Sequence, residues 1–243
     1  MKPNPKFNSW LGGLLSFAGV LIGLSLSAAV TWGPVEASLY TSFNADSRFA
    51  VKCPLMLSQD ESGVIRAKIT NFTDETVTPV VYVEISHANA PRRLDETVAL
   101  SPRESKLIEW SVDPSDVVFE RLILVNILQA RYRENPSFLG SCGILVFSLF
   151  GLTGMQTFFL VMSLSLAAMG FGATRWWRAK QPLDEASLSL ARIGGFLIGI
   201  TVLAFLSALL RIWGLTILLD ALILLVVGIM VTDFGLFPQN RKG

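Results

Sequence analysis

Four hydrophobic runs separated by polar segments dominate the pattern of the chain. They cover residues 9–32, 152–173, 193–210 and 212–231. A helix needs about 17 to 25 mainly apolar residues to cross the hydrocarbon core of a bilayer. The pattern therefore predicts four transmembrane helices, with one large polar segment between the first and the second.

The polar segment, residues 33–151, has the periodicity of strands. Within 64–70 the apolar Ile65, Ala67 and Ile69 share one face, and polar side chains occupy the other. Turn-forming residues separate the further strand candidates, which are 38–43, 49–57, 76–86, 96–100, 106–112, 121–132 and 141–150. This series predicts an antiparallel β-sandwich, for which an immunoglobulin-like topology is the first choice, with Trp110 in its core.

The pattern divides the chain into seven segments. Residues 1–32 are a cytoplasmic N-terminus and the first transmembrane helix, 33–151 the β domain, 152–173 the second helix, 174–192 a basic cytoplasmic loop, 193–210 and 212–231 the third and fourth helices, and 232–243 a cytoplasmic tail. The alternative for the first run is a cleavable signal peptide, because Lys2 and Lys6 precede it and residues 35–37 resemble a cleavage site. Its apolar stretch exceeds the usual ~7 to 15 residues of a signal peptide, which favours a retained signal anchor.

Basic residues predict the orientation of the chain in the membrane. They precede the first run, fill the loop between the second and third runs, and end the chain. Four helices place these three segments on one side, which the positive-inside rule makes cytoplasmic. Residues 33–151 carry 11 lysines and arginines against 15 aspartates and glutamates. We therefore expect a plasma-membrane protein with both termini in the cytoplasm and an acidic β domain outside.

Tryptophan and basic residues mark the expected contacts with membrane lipids. Trp10 and Trp32 bracket the first run at a spacing of roughly 33 Å, close to the thickness of the bilayer core. A second cluster follows the second run and consists of Arg175, Trp176, Trp177, Arg178 and Lys180. Its chemistry suits an anionic headgroup layer, and docking of a protein is the alternative.

Both cysteines of the chain, Cys53 and Cys142, lie in the predicted external domain. Thiols outside the cytoplasm are usually oxidised, so we predict a disulfide between them. A metal site or a cysteine nucleophile is the weaker alternative, because His87 is the only histidine in the sequence. We expect no cofactor.

The triplet Asn71, Phe72 and Thr73 fits the acceptor pattern for N-glycosylation in a predicted external turn. The same residues are good turn formers, and this second interpretation is the stronger one. Asn71 is therefore a glycosylation candidate with a structural role as its alternative.

Small residues recur four positions apart in three of the predicted helices. The pairs are Gly19 and Gly23, Ala168 and Gly172, and Gly195 and Gly199. Residues four apart lie on one face of a helix, where small side chains let another helix approach closely. We expect packing within the chain's own bundle, with docking of a partner subunit as the alternative.

Two charged residues lie in or between the last two runs. Arg211 separates these runs, and Asp220 lies about two turns into the fourth. An ionisable group in hydrocarbon is costly and needs a partner or a function. We predict an ion pair between Arg211 and Asp220, and the alternative is a proton or cation site at Asp220.

Composition indicates a membrane protein without a recognisable reaction centre. Apolar residues make up 51% of the chain and charged residues 16%, which is too apolar for an ordinary soluble domain. The sequence has no phosphate-binding glycine loop and no HExxH or GxSxG motif, and its acidic external segment argues against nucleic-acid binding. We expect a non-catalytic accessory subunit whose β domain binds or organises other membrane subunits or a surface protein. A transporter or channel component using Asp220 is the alternative.

Overall fold

A computed structural model describes residues 5–132, 136–181 and 185–234 of the chain. The chain divides into two compact units. The helical unit comprises Met1–Ala28 and Phe159–Gly243, and the β unit comprises Ala29–Phe158. The divisions fall within the first helix and near the start of the second.

Long helices account for all four hydrophobic runs. Their bounds are Pro5–Leu39 for α1, Gly154–Ala179 for α2, Glu185–Leu209 for α3 and Trp213–Phe234 for α4. Within the described residues, these four helices are long and apolar enough to cross a membrane. The four helices predicted from hydropathy are confirmed as helices, and α2 and α3 extend into the predicted loop 174–192. Most of the predicted tail 232–243 lies outside the described residues.

The first helix is longer than the sequence predicts. It continues through Pro34 to Leu39, so the predicted strand 38–43 is wrong. A proline inside a helix removes a backbone hydrogen bond. For this reason the sequence around Pro34 predicts a turn rather than a continuing helix. Packing in the β unit offsets that loss, because Gly33 of α1 lies directly against Gly143.

In the described part of the β unit, nine strands form two sheets. In chain order they are β1 Ser47–Arg48, β2 Val51–Lys52, β3 Met56–Leu57, β4 Gly63–Thr70, β5 Val80–Ile85, β6 Arg92–Thr97, β7 Ser105–Val112, β8 Leu122–Gln129 and β9 Phe138–Val146. The larger sheet has the order β1-β9-β8-β5-β6, with β3 also paired to β9, and the smaller sheet has the order β2-β4-β7. The long neighbouring strands pair antiparallel as predicted, whereas β1 and β3 pair parallel to β9.

The two sheets enclose one apolar core. On β4 the side chains of Ile65, Ala67 and Ile69 are fully buried and those between them are exposed, which confirms the predicted alternation. Trp110 on β7 joins this core, and the larger sheet contributes residues from β5, β8 and β9. The β unit is therefore a two-layer β domain.

Three predicted strands follow a different course in the structure. The predicted strand 49–57 is interrupted at Cys53 and Pro54, where the chain leaves the smaller sheet and joins the larger one. Proline lacks the N–H that a continuous strand would use, so a crossover is favourable here. Of the predicted strand 96–100, only the first residues belong to β6, and residues 147–150 lie beyond β9.

The centre of the larger sheet is buried on both faces, whereas its edge strands β1 and β6 are largely exposed. Every residue of β8 except Leu128 is buried, including those that point away from the core. On β9, Cys142 and Ile144 face the core, so Gly143 between them belongs to the outer face. Because Gly143 contacts Gly33, the last turns of α1 cover this outer face.

Candidate functional site

The start of α2 is fixed to the β unit. The Glu61 carboxylate accepts a hydrogen bond from the backbone N–H of Gly154 at 2.8 Å. A Cβ added to Gly154 would overlap the backbone of Met56, so α2 begins in direct contact with β3. Thr153 and Gln156 each accept a hydrogen bond from the other's backbone N–H, which forms a capping box. Together with the contact of α1, these bonds hold the β domain at both ends.

Cys53 and Cys142 form a disulfide, as the sequence predicts. Cys53 lies in the crossover between β2 and β3, and Cys142 lies on β9, 89 residues later. The bridge joins the crossover to the strand with which β1 and β3 pair. It therefore fixes the course of the crossover segment covalently.

A cavity of about 560 Å³ opens on the β unit beside the residue that follows α1. Its lining includes the aromatic rings of Tyr40 and Phe119, together with His87 and Glu120. His87 Nδ1 lies 3.9 Å from the carboxylate of Asp116. Aromatic surface combined with a few polar groups is typical of surfaces that bind other molecules.

Phe119 and Glu120 form a strained turn at this cavity. Both have left-handed φ values, 50° and 63°, a conformation that costs roughly 1 to 2 kcal/mol per residue when a Cβ is present. Backbone hydrogen bonds of 2.7 and 2.9 Å between Val118 and Leu122 close the turn. The Phe119 side chain is nevertheless 61% exposed. Phe150 shares this combination, with a φ of 51° and a ring that is 90% exposed. Strained positions of this kind are candidates for functional contacts.

Asp116 is a buried acid beside the same cavity. From the sequence it is predicted only to belong to a turn. Its carboxylate accepts hydrogen bonds from Arg92 Nη2 at 2.8 Å and from the backbone N–H of Asp113 at 3.1 Å. These charge-assisted bonds stabilise the loop. Across the described residues, no group of three or more His, Cys, Asp or Glu side chains could hold a metal ion.

Asp46 ties the residues before β1 to those before β9. Its carboxylate accepts hydrogen bonds from Ser137 Oγ and Arg131 Nη2, both at 2.7 Å. These bonds, led by that of the Ser137 hydroxyl, hold the pKa of Asp46 well below its ordinary value. The Asp46 carboxylate is therefore charged at neutral pH.

Asn71 is 1% exposed and organises a turn. Its Nδ2 donates to the carbonyl oxygens of Glu75 at 2.7 Å and Ser101 at 2.9 Å, and its Oδ1 accepts from the backbone N–H of Thr73 at 2.9 Å. A glycan would have to be attached to this buried, bonded nitrogen. The folded β unit therefore favours the structural role over glycosylation.

Glycines of α1 and α2 lie against neighbouring helices within the helical unit. A Cβ on Gly19 would lie 2.8 Å from Met169 N, and one on Gly23 would lie 2.8 Å from Ser165 Oγ. The Ser165 hydroxyl also donates to Gly19 O at 2.8 Å. Gly172 of α2 lies in the same way against the backbone of α1. These glycines are used for packing within the chain's own bundle.

The other small residues singled out by their spacing have different surroundings. A Cβ on Gly195 or Gly199 would meet nothing within 4 Å. Ala168 is half-buried and neighbours Met169, which packs against α1. Docking of another molecule at the glycines of α3 stays a prediction.

The structure does not pair Asp220 with Arg211. Asp220 is 8% exposed, and its Oδ2 accepts a hydrogen bond from Ser27 Oγ of α1 at 3.2 Å. Among the described residues, Asp220 Oδ1 has no hydrogen-bond partner. Arg211 lies in the turn before α4, and the rise along the helix from Trp213 to Asp220 is roughly 10 Å. A contact between a serine and an aspartate thus replaces the predicted ion pair.

Of the tryptophans predicted to contact lipid, three are exposed and Trp176 is half-buried. Trp10, Trp32 and Trp177 are all exposed. Arg175 Nη2 donates to the neutral Asn8 Oδ1 at 2.7 Å, which links α2 to α1. Their contact with lipid itself stays a prediction.

No family model matches the chain, and no curated protein matches it either. Among solved structures, a CARDB domain from Pyrococcus furiosus is 17% identical, and the match covers 40% of this chain and 84% of that one with a TM-score of 0.33. A cycloisomaltooligosaccharide glucanotransferase from Paenibacillus sp. is 18% identical over 44% of this chain and 15% of that one, with a TM-score of 0.35. A β-glucosidase from Listeria innocua is 19% identical over 40% of this chain and 16% of that one, with a TM-score of 0.31. TM-scores this low assign neither a family nor a function.

Proposed function

We propose that this protein is a non-catalytic, multi-pass membrane protein that holds a disulfide-bridged, immunoglobulin-like β domain at the outer surface of the plasma membrane. The domain binds or organises partners there, as an accessory subunit of a membrane assembly. The observation that carries this proposal is the strained turn that presents Phe119 to solvent at a cavity of the β unit.

The orders of the strands support the immunoglobulin-like description. If β2, β4, β5, β7, β8 and β9 are lettered A, B, C, E, F and G, the sheets contain the orders A-B-E and G-F-C. Immunoglobulin-like sandwiches have these neighbours. Antibody domains have a disulfide between strands B and F. In this domain the disulfide instead joins the crossover after strand A to strand G.

The attachment of the domain supports a holding role. Within the β unit, Gly33 of α1 packs on Gly143, and Gly154 of α2 packs on Met56. The two helical ends of this unit are therefore ordered against its own strands. Pre-organisation of that kind lowers the cost of binding.

The polar groups of the β unit support a non-catalytic role. Asp116 is bonded to Arg92, and Asn71 is bonded to backbone groups. These side chains stabilise loops, whereas the cavity near Phe119 combines an exposed ring with polar neighbours. Aromatic anchors of this type are enriched at binding hot spots.

Photocrosslinking tests this function directly. We expect p-benzoylphenylalanine at position 119 to give one discrete protein adduct in native membranes, and Phe119→Ser to shift the gently solubilised complex towards the free protein. Position 107 is the control, because Leu107 on β7 is 56% exposed against 61% for Phe119. A protein that runs alone after gentle extraction and gives equal or no adducts at both positions would contradict the proposal.

The second candidate function is transport or conduction of a cation or proton through Asp220. The buried carboxylate oxygen of Asp220 that lacks a partner among the described residues favours it. Ionisable groups within membrane helices often mark such routes.

Asp220→Asn should abolish proton or cation flux if this second function holds, because the amide cannot carry the exchangeable charge. Flux into proteoliposomes under an imposed potential measures the effect. Ser27→Ala is the matched change, since it removes the hydrogen bond to Asp220 but leaves the carboxylate. Unchanged flux in Asp220→Asn would exclude this function.

A further inference from the structure

A second cavity, of about 400 Å³, lies between the helices of the helical unit, where α2 ends and α3 begins. Its lining comes from four helices and includes Gly13, Trp176, Trp177, Gly194, Gly195 and Met230. The glycines of α3 create the space, because a Cβ on either Gly194 or Gly195 would meet nothing within 4 Å. The volume is within the range of binding sites for small ligands, roughly 300 to 1,000 Å³.

The lining of this cavity suits an apolar ligand. Apart from the indole N–H groups, the polar side chain in the lining is that of Ser16, whose hydroxyl donates to Met169 O at 3.5 Å. An apolar cavity offers water too few hydrogen-bond partners and instead takes up apolar molecules. A hydrocarbon chain meets these requirements.

Basic side chains are concentrated at the same end of the helices. They are Arg175, Arg178, Lys180 and Arg192. In the part of the chain that the structure describes, none of the four forms an ion pair within 4 Å. Arg178 directly follows the two tryptophans of the cavity, Lys180 lies two residues further on, and Arg192 adjoins the lining residue Ala191. Arg175 and Arg178 line a neighbouring cavity of the same helix end, together with Asn8. Such a cluster attracts an anionic headgroup.

We propose that this cavity binds one acyl chain of an anionic phospholipid, whose phosphate lies among these basic side chains. The inference rests on the proposed membrane-spanning arrangement and adds to it a specific lipid site. Along the chain, the cavity residue Ala173 is followed by Trp176 and Trp177 and then by Arg178 and Lys180, which is the order of acyl chain, interface and headgroup in a bilayer leaflet.

A photoreactive lipid tests the site. The full-length protein is placed in nanodiscs that contain phosphatidylglycerol or phosphatidylcholine with a diazirine on one acyl chain. We expect phosphatidylglycerol to label peptides that contain Trp176 or Gly194, and an excess of unlabelled phosphatidylglycerol to compete. Arg178→Gln and Lys180→Gln should each lower the preference for phosphatidylglycerol roughly fivefold.

Matched glycine variants locate the chain. Gly194→Leu fills the cavity and should abolish this labelling, whereas Gly170→Leu adds the same side chain in open space on α2 and should retain it. The lipid site would be overturned if both lipids label equally or if unlabelled lipid does not reduce the labelling. It would also be overturned if a photoreactive residue at position 194 crosslinks to another protein in native membranes. Extraction of the wild-type protein by alkaline carbonate would instead show that the membrane-spanning proposal itself fails.

Discussion

A protein in which both Cys53 and Cys142 are replaced with serine should lose about 4 to 5 kcal/mol of the free energy of unfolding of its β unit. The bridge spans 89 residues, and a cross-link of that length strongly restricts the unfolded chain. A domain has a total stability of only about 5 to 15 kcal/mol, so the variant would be close to unfolding. Urea denaturation followed by hydrogen exchange of β4 and β8 measures the loss.

The wild-type protein under reducing conditions is the matched control and should lose the same stability. A loss below about 1 kcal/mol would contradict the role assigned to the bridge. Thiols that alkylate without prior reduction would contradict the external location as well, because cysteines stay reduced in the cytoplasm.

Gly143→Ala should separate the end of α1 from the larger sheet. An added Cβ overlaps the backbone of Gly33, and backbone cannot move aside as the end of a side chain can. Overpacking typically costs about 1 to 3 kcal/mol and sometimes more. We expect faster hydrogen exchange in residues 29–39 and a lower melting temperature of the β unit.

Gly170→Ala is the control for this change, because it adds the same methyl group where nothing lies within 4 Å. Alanine favours a helix over glycine by about 1 kcal/mol, so this variant should be neutral or slightly more stable. Equal exchange of residues 29–39 in both variants would contradict the contact between α1 and the sheet.

The periodic parts of the β domain could be predicted from the sequence because one physical effect decides them. In β4 the alternation of Ile65, Ala67 and Ile69 reports directly which face is buried. The disulfide followed from the count of cysteines and the expected compartment. Edge strand β6 could not be predicted with the same accuracy, because Arg92–Thr97 has little alternation of apolar and polar residues. Its position depends on pairing with β5.

The end of α1 could not be predicted because a tertiary contact outweighs a local signal. Glycine and proline at 33 and 34 resemble a turn, and the burial of α1 against the larger sheet depends on Gly143, far away in the sequence. One signal was present: the continuous apolar run of β8 is typical of a strand buried on both faces. It implied that another element covers the outer face.

Some of the candidate site contacts could also be predicted from the sequence, and others could not. The four-residue spacing of small side chains identified the packing faces of α1 and α2. There Gly19 and Gly23 contact Met169 and Ser165. The partner of Asp220 could not be identified, because Ser27 lies on a helix 193 residues away. The burial of polar residues could not be predicted from the sequence either. Glu84 on β5, for example, is buried and accepts a hydrogen bond from Ser42 Oγ at 2.9 Å.

The orientation of the β domain is the central claim, and labelling of single cysteines tests it most directly. Asp60 lies in an exposed turn of the β unit, and Lys180 is exposed at the end of α2, while both native cysteines are held in the disulfide. We expect an impermeant maleimide to label Asp60→Cys in intact cells and to label Lys180→Cys only after permeabilisation. Labelling of Lys180→Cys but not Asp60→Cys in intact cells would contradict the account.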